Sequence, residues 1–94
     1  MNYEAIIHSL IDDLVADKNT ILIRELPNES DRDITLLIIS TNEDIARLIG
    51  KKGSIASALR EVVSIAGKLD NKRVHLKFES YNEESDTKQG KEGA

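Results

Sequence analysis

The first segment of the chain alternates apolar and polar residues with a helical period. Between Asn2 and Asp17, apolar residues recur every three or four positions, which is the spacing of one face of an α-helix. The members of this stripe are Ile6, Ile7, Leu10, Ile11, Leu14 and Val15. The pattern predicts an amphipathic first helix.

Two short apolar segments follow, and both have the character of β-strands. The segment Thr20–Leu26 is rich in β-branched residues and stops at Pro27, which cannot donate to a sheet ladder. The segment Ile34–Ser40 is almost continuously apolar but too short for a typical helix, as expected of a strand buried on both faces. We expect the two strands to pair as a hairpin.

The second half of the chain predicts two helices separated by a glycine-rich turn. Thr41 is followed three residues later by an acid, so a capping box can open a helix over Glu43–Ile49 that ends at Gly50. A second helical period runs from Ser54 to about Lys68, with Gly67 as its expected terminator. Its apolar side carries Ile55, Ala58, Leu59, Val62, Val63 and Ala66.

The last periodic segment predicts a half-exposed strand over Lys72–Glu79. Val74, Leu76 and Phe78 alternate there with polar residues. The predicted order is therefore α-β-β-α-α-β, an α+β fold with a three-stranded mixed sheet covered on one face by three helices. Residues 1–79 form this domain, whereas residues 80–94 lack apolar periodicity and predict a disordered acidic and polar tail.

Size and composition limit the possible functions. A chain of 94 residues forms one small domain with a modest core and a shallow binding site. The absence of cysteine excludes disulfides, thiolate metal sites and a cysteine nucleophile. The sequence has neither a membrane-length apolar run nor a basic leader segment, so we expect a cytoplasmic protein without membrane contact.

Charge is strongly segregated along the chain. Residues 1–46 carry three bases against ten acids, whereas residues 47–78 carry eight bases against two acids. Residues 79–94 return to five acids against two bases, and the formal net charge is −4. Phosphates respond to charges within a Debye length of about 8–10 Å, so the central segment favours an anionic partner despite the acidic total. An ordinary solvated face remains the alternative.

The turn Gly50-Lys51-Lys52-Gly53 is the motif with the clearest chemistry. Its glycines permit close approach of a main chain to a phosphate, and the following helix offers unpaired N–H groups and a positive dipole end. The two lysines add positive charge. Alone, the pattern is also compatible with a helix C-cap followed by a turn and two solvent-exposed lysines.

In its context, this turn resembles that of KH domains. The stretch Leu48-Ile49-Gly50-Lys51-Lys52-Gly53-Ser54-Ile55 is similar to the apolar-Ile-Gly-x-x-Gly-x-x-Ile pattern, with Ile55 one position early. The element order resembles the type II, bacterial version. The Lys72–Leu76 stretch and the small size resemble the bacterial single-KH proteins of the KhpA family. In KH domains the G-x-x-G loop clamps the backbone of about four unpaired nucleotides.

The resemblance implies a set of RNA-binding residues. Apolar side chains of the two helices would form the floor of a groove, and the last strand with its preceding loop would form the wall opposite the clamp. The scarcity of aromatic residues favours this arrangement over base stacking on an exposed sheet. The implied residues are Ile45, Arg47, Ile49, Gly50, Lys51, Lys52, Gly53, Ser54, Ile55, Lys72 and Arg73, with His75 as a further candidate. For Arg47 and for Arg60, solvation or pairing within the helix is the favoured alternative.

Other chemistries are not favoured. No spacing assembles a nucleophile with an acid–base pair, and the P-loop pattern is absent, so we expect neither catalysis nor a cofactor. His8 shares a helix face with Glu4 and Asp12, but a single N-terminal helix makes a poor metal site, and we interpret His8 as a surface residue.

The expected function is low-specificity binding of single-stranded RNA, as a post-transcriptional regulator or RNA chaperone. A single-stranded DNA-binding module and a protein-interaction adaptor remain alternatives. Because one weak site gains from duplication, dimerisation is plausible. The resemblance implies a homodimer or a heterodimer with a larger KH protein of the KhpB (Jag) type.

Overall fold

A computed structural model describes residues 1–81 of the chain. It contains three helices and three strands in the predicted order α-β-β-α-α-β. These are α1 (Tyr3–Ile11), β1 (Leu22–Leu26), β2 (Asp33–Ser40), α2 (Asn42–Ile49), α3 (Ser54–Leu69) and β3 (Arg73–Ser80). Strand β3 includes Ser80, which the sequence pattern assigns to the tail, and residues 82–94 of the predicted tail lie outside the described residues.

The three strands form one mixed sheet in the order β1-β2-β3. Strands β1 and β2 pair antiparallel as the predicted hairpin, with Leu22 opposite Ile39. Strands β2 and β3 pair parallel, from Asp33 opposite Arg73 to Ser40 opposite Ser80. A parallel pair needs a crossover, which α2 and α3 provide here. The predicted α+β architecture is therefore confirmed.

The core lies between one face of the sheet and the helices. Ile7 and Ile11 of α1, Leu48 of α2 and Val63 of α3 pack in one cluster with Ile38 of β2. Each of these five side chains is completely buried, and burying one aliphatic side chain contributes about 1.5–3 kcal/mol. Apolar burial on this single face therefore holds the helices to the sheet.

The opposite face of the sheet is open, and here β2 differs from the prediction. Leu37 and Ile39 point to that face and are half-buried, while Arg24 and Lys77 on the flanking strands are exposed. The side chains of the flanking strands, rather than a second layer of helices, partly cover the apolar side chains of β2 on this face. Its nearly continuous apolar run therefore reflects a central position, not burial on both faces.

Helix α1 is shorter than its apolar stripe predicts. It ends at Ile11 and continues as a single 3₁₀ turn over Asp12–Leu14. The next amides, those of Ala16 and Asp17, donate to the carboxylate of Asp44 at 2.9 and 3.4 Å. This buried carboxylate of α2 holds the chain in an extended path after the 3₁₀ turn.

Helix α3 passes through Gly67 rather than ending there. The helix ends at Leu69, and the left-handed residue that follows is Asn71, with φ 56°. A Cβ on Gly67 would lie 2.7 Å from the carbonyl oxygen of Lys72. This glycine therefore allows close packing of α3 against the start of β3.

Candidate nucleic-acid interface

The turn between α2 and α3 has a backbone that depends on its glycines. Gly50, Lys52 and Gly53 adopt positive φ angles of 76°, 57° and 77°. The amide of Gly53 donates to the carbonyl of Gly50 at 3.1 Å, which closes the loop. We call residues Gly50–Gly53 the clamp loop. L-residues rarely adopt positive φ angles, so the two glycines suit this backbone, whereas Lys52 occupies a left-handed conformation as an L-residue.

The two glycines have different surroundings. A Cβ on Gly50 would lie 2.9 Å from both the Cβ and the backbone nitrogen of Ile55, so a side chain has no room there. A Cβ on Gly53 would have no neighbour within 4 Å. Gly50 therefore packs the loop onto α3, whereas Gly53 leaves the outer surface of the loop accessible.

The start of α3 faces the clamp loop without a capping side chain. Its N-cap is Gly53, which has no side chain to accept from the first-turn N–H groups. Lys51 and Lys52 are exposed, and no acidic side chain in residues 1–81 lies within salt-bridge distance of either. The Ser54 amide donates to the carbonyl of Lys51, so it is the helix dipole and the two exposed ammonium groups that favour an anion at this loop.

The predicted apolar residues beside the loop differ in their accessibility. Ile49 is 36% exposed and Ile55 is half-buried, so both present apolar surface next to the clamp loop. Ile45 is only 8% exposed and belongs to the core cluster. Ser54, at the first position of α3, is exposed. The accessible apolar floor at the loop therefore consists of Ile49 and Ile55.

A groove continues from the loop along α3 and β3. One shallow depression is lined by Ser54, Ser57, Ala58, Arg60, Glu61 and Ser64. A second is lined by Ser64, Lys68, Lys72, Arg73, Val74 and His75. The two depressions share Ser64, so they form a path from the start of α3 to the start of β3.

Arg60 occupies the middle of this groove. Its Nη2 donates to the carbonyl of Leu76 at 3.3 Å, and its guanidinium carbon lies 5.5 Å from the ring centroid of Phe78. From the sequence, solvation or pairing within its helix is the favoured interpretation of Arg60. No local signal identifies its place in the groove, because its partners Leu76 and Phe78 lie sixteen and eighteen residues further along the chain.

Lys72 and Arg73 lie at the other end of the groove from the clamp loop. Gly67 contacts Lys72 and is fourteen residues from Gly53, which places the two ends roughly 20 Å apart along α3. The ammonium group of Lys72 donates to the carbonyl of Asp31 at 2.6 Å. The two ends can therefore contact one extended strand, but they do not face each other across a narrow cleft.

Arg73 and His75 point to the open face of the sheet, where both contact Asp33. Arg73 binds this carboxylate with two nitrogens, each at 3.0 Å, and Nε2 of His75 lies 3.1 Å from Oδ1. The hydrogen bond from His75, together with Arg73, holds the pKa of Asp33 below its usual value. Both side chains are more than half exposed and can still contact a ligand at the groove edge.

Arg47 pairs with acidic side chains of its own helix, which is the alternative to RNA binding that the sequence favours for this residue. Its Nη1 lies 2.5 Å from Oδ1 of Asp44, and its Nη2 lies 3.9 Å from Glu43. The Ala16 amide, aided by Arg47, keeps the pKa of Asp44 below its usual value despite burial. Arg47 therefore has a structural partner in addition to the role implied by the resemblance.

Residues 1–81 contain neither a metal-ligand cluster nor a membrane-spanning helix. No group of three or more potential metal-ligating side chains occurs in this part of the chain. None of its helices combines the length and apolar character that crossing a membrane requires.

Comparison with known proteins identifies the family. Residues 4–78 match the family model described as KhpA/KhpB, KH domain. Proteins named RNA-binding protein KhpA from Listeria monocytogenes and Listeria innocua are 34% identical over 75 residues, which cover 80% of this chain and 96% of each relative. No solved structure gives a significant match. On these grounds, the chain belongs to the KhpA/KhpB family of KH-domain proteins.

Proposed function

We propose that this protein binds single-stranded RNA through the clamp loop and carries out no chemistry on it. The observation that carries the proposal is the loop itself. It combines an uncapped helix start, positive φ angles at both glycines and two exposed lysines without acidic partners in residues 1–81. The relatives named RNA-binding protein KhpA share this region of the chain.

The geometry suggests how a strand would lie. A phosphate would lie at the positive end of the α3 dipole, with Lys51 and Lys52 beside it. The adjoining bases would rest on the apolar surface of Ile49 and Ile55. The strand would then follow the groove past Arg60 towards Lys72. KH domains hold about four nucleotides, a length that suits a groove of this extent.

Binding of this kind is weak and depends on salt. Few phosphates are neutralised, so log K should fall with log salt by about 0.7 for each contacted phosphate, or roughly 2 for three contacts. Weak single-site binding suits a low-specificity regulator or RNA chaperone. We place this activity in the cytoplasm, which the cysteine-free composition supports.

We also propose that the protein acts as a dimer, with α3 as the surface of contact. The outer face of α3 carries an exposed apolar stripe at Val62, Ile65 and Leu69. Ile65 and Leu69 are 61% and 80% exposed. A second copy can pack the same stripe antiparallel, because the spacing of i, i+3 and i+7 is self-complementary. A KhpB-type partner with a similar helix is the heterodimeric alternative.

The test of RNA binding is charge reversal at the clamp loop. In the variant Lys51→Asp with Lys52→Asp, affinity for a short single-stranded RNA should fall at least tenfold, while the melting temperature stays nearly constant. The matched control is Arg24→Glu with Lys77→Glu, which changes the net charge equally on the open sheet face. Equal affinities for the loop variant and the unsubstituted protein would refute the clamp assignment.

The alternative functions are outcomes of the same experiment. Equal binding of RNA and DNA oligomers of matched sequence would indicate a general single-strand binder. Binding of neither, with partner proteins retained after nuclease treatment, would indicate an adaptor.

A further inference from the structure

One side of α3 carries a row of polar side chains that lines the groove. Ser57 and Ser64 lie four residues before and three residues after Glu61, so the three share one face of the helix. All three are exposed and line the same depression. Because serine side chains are short, they leave the carboxylate of Glu61 open to the groove.

Glu61 is an acid in the most basic part of the chain. Residues 47–78 contain eight bases and only two acids, Glu61 and Asp70. Asp70 accepts a hydrogen bond from the Tyr3 hydroxyl at 3.0 Å. In the described part of the chain, no cationic group lies within salt-bridge distance of Glu61, and the neighbouring Arg60 guanidinium is directed to β3 instead. The carboxylate of Glu61 is therefore available to a ligand.

A carboxylate in an RNA groove restricts which part of the strand lies beside it. It repels phosphates, which are attracted instead to Lys51, Lys52 and Lys72 at the groove ends. An ionised carboxylate only accepts hydrogen bonds, so it favours a base that presents N–H donors. Glu61 lies eight residues after Gly53, about 12 Å along the helix. With about four nucleotides over roughly 20 Å of groove, the base beside Glu61 is the second or third from the clamp loop.

The four RNA bases differ in the donors that they offer to a carboxylate. Guanine has two adjacent donors on its Watson–Crick edge, N1–H and N2–H, which match the two oxygens of one carboxylate. Cytosine and adenine each have one amino donor beside an acceptor nitrogen, and uracil has one N–H between two carbonyl oxygens. Two parallel hydrogen bonds to a carboxylate are stronger and more specific than one. A free carboxylate in the groove therefore suits guanine best.

We propose that Glu61 gives the RNA site a preference for guanine, by accepting hydrogen bonds from N1–H and N2–H of a base in the groove. The inference rests on the proposed function, because it requires RNA in this groove. The clamp loop contacts the backbone, which carries no sequence information, whereas Glu61 contacts a base edge. A bidentate contact to a base edge discriminates about five- to 150-fold, and the open groove places Glu61 near the lower limit.

The experiment compares four heptanucleotide RNAs that contain uridine at every position except the centre. The central nucleotide is guanosine, adenosine, cytidine or uridine, and a single guanosine per strand prevents self-association through guanines. The unsubstituted protein should bind the guanosine RNA about fivefold more tightly than the all-uridine RNA. Equal affinities for all four RNAs would overturn the guanine preference and leave the clamp loop assignment intact. Binding of none of them would refute the proposed function, and the preference with it.

The variant Glu61→Gln tests the carboxylate directly. Glutamine has nearly the same shape, but it presents one acceptor and one donor group and can no longer pair with two donors. The advantage of guanosine over uridine should fall below twofold. The matched control Glu25→Gln makes the same charge change at an exposed position of β1, the strand at the opposite edge of the sheet from β3, and should keep the fivefold advantage. Retention of the full advantage in Glu61→Gln would overturn the proposal.

Inosine tests the contact at the level of one functional group. It differs from guanosine only in lacking the N2 amino group, so inosine at the centre should weaken binding to the unsubstituted protein about threefold. In Glu61→Gln, the same replacement should weaken binding by less than twofold, because the carboxylate that pairs with the amino group is gone. The two changes thus form a double-mutant cycle between protein and RNA. Losses of equal size in both proteins would overturn the proposal.

Discussion

The two glycines of the clamp loop should differ sharply in their tolerance of alanine. Gly50 has φ 76° and ψ 175°, a backbone region that is essentially restricted to glycine. Forcing alanine into it costs about 1–3 kcal/mol of strain. The added Cβ would also meet Ile55 at 2.9 Å, and overpacking of this kind costs about 1–3 kcal/mol. Gly50→Ala should therefore lower the free energy of unfolding by about 2–6 kcal/mol.

Gly53→Ala should be much milder. Gly53 has φ 77° and ψ 14°, which is left-handed helical backbone, and its Cβ would have no neighbour within 4 Å. The cost is that of the left-handed conformation alone, about 1–2 kcal/mol. Gly67→Ala provides the opposite case, a steric clash without an unfavourable φ. A Cβ on Gly67 would lie 2.7 Å from the Lys72 carbonyl oxygen, and the φ angle of Gly67 is not positive.

Thermal and urea unfolding followed by circular dichroism measure these differences. A loss of 1 kcal/mol lowers Tm by roughly 4–8 °C in a domain of this size, so a difference of about 2.5 kcal/mol between the midpoints of the two ranges should lower Tm roughly 10–20 °C more in Gly50→Ala than in Gly53→Ala. RNA affinity, measured on the folded fraction, should still respond to Gly53→Ala, because its methyl group occupies the surface that a phosphate approaches. Equal losses of stability at the two glycines would refute the assignment of Gly50 as the packing residue.

Three further predictions concern other parts of the molecule. The pKa of Asp44 is below its ordinary value of 3.8, so this carboxylate stabilises the fold above that pH and the contribution is lost as pH falls through the lowered pKa. When the free energy of unfolding is measured against pH, its slope below pH 4 should be weaker in Asp44→Asn than in the unsubstituted protein. An unchanged slope would contradict the capping role. Arg60→Gln should lower RNA affinity severalfold with a Tm change of a few degrees, since it removes the guanidinium from the groove and its contact with Phe78. Unaltered RNA affinity would exclude Arg60 from the binding surface. Ile65→Glu should convert the proposed dimer to a monomer in sedimentation equilibrium while preserving the circular dichroism spectrum, and a dimer that persists in this variant would exclude α3 as the interface.

Local sequence patterns correctly predicted the elements whose formation depends on interactions between neighbouring residues. The alternation of Val74, Leu76 and Phe78 with charged residues gives the strand and its buried face, because successive strand residues point to opposite sides. Thr41 caps α2 as expected, with its hydroxyl accepting the Asp44 amide at 3.2 Å. The carboxylate of Asp44 does not complete the predicted capping box, because it accepts from the Ala16 and Asp17 amides instead.

Part of the candidate site could also be predicted from interactions between neighbouring residues. The clamp loop is contiguous in sequence, so its glycines and lysines could be identified from spacing alone. Arg60 could not be assigned in this way, because its partners Leu76 and Phe78 are sixteen and eighteen residues away. The pairing of Arg73 and His75 with Asp33 likewise depends on the parallel register of β2 and β3.

The sequence by itself determined which segments are helices and strands, where the basic charge is concentrated and which turn can approach a phosphate. These properties follow from periodicity, capping and glycine content, and each depends on a few neighbouring residues. Only the tertiary structure decided that α3 packs along β3, which places Arg60 against Leu76 and Phe78 at the sheet edge. That arrangement arises from burying one face of the sheet under three helices, and such packing depends on contacts between residues far apart in the chain.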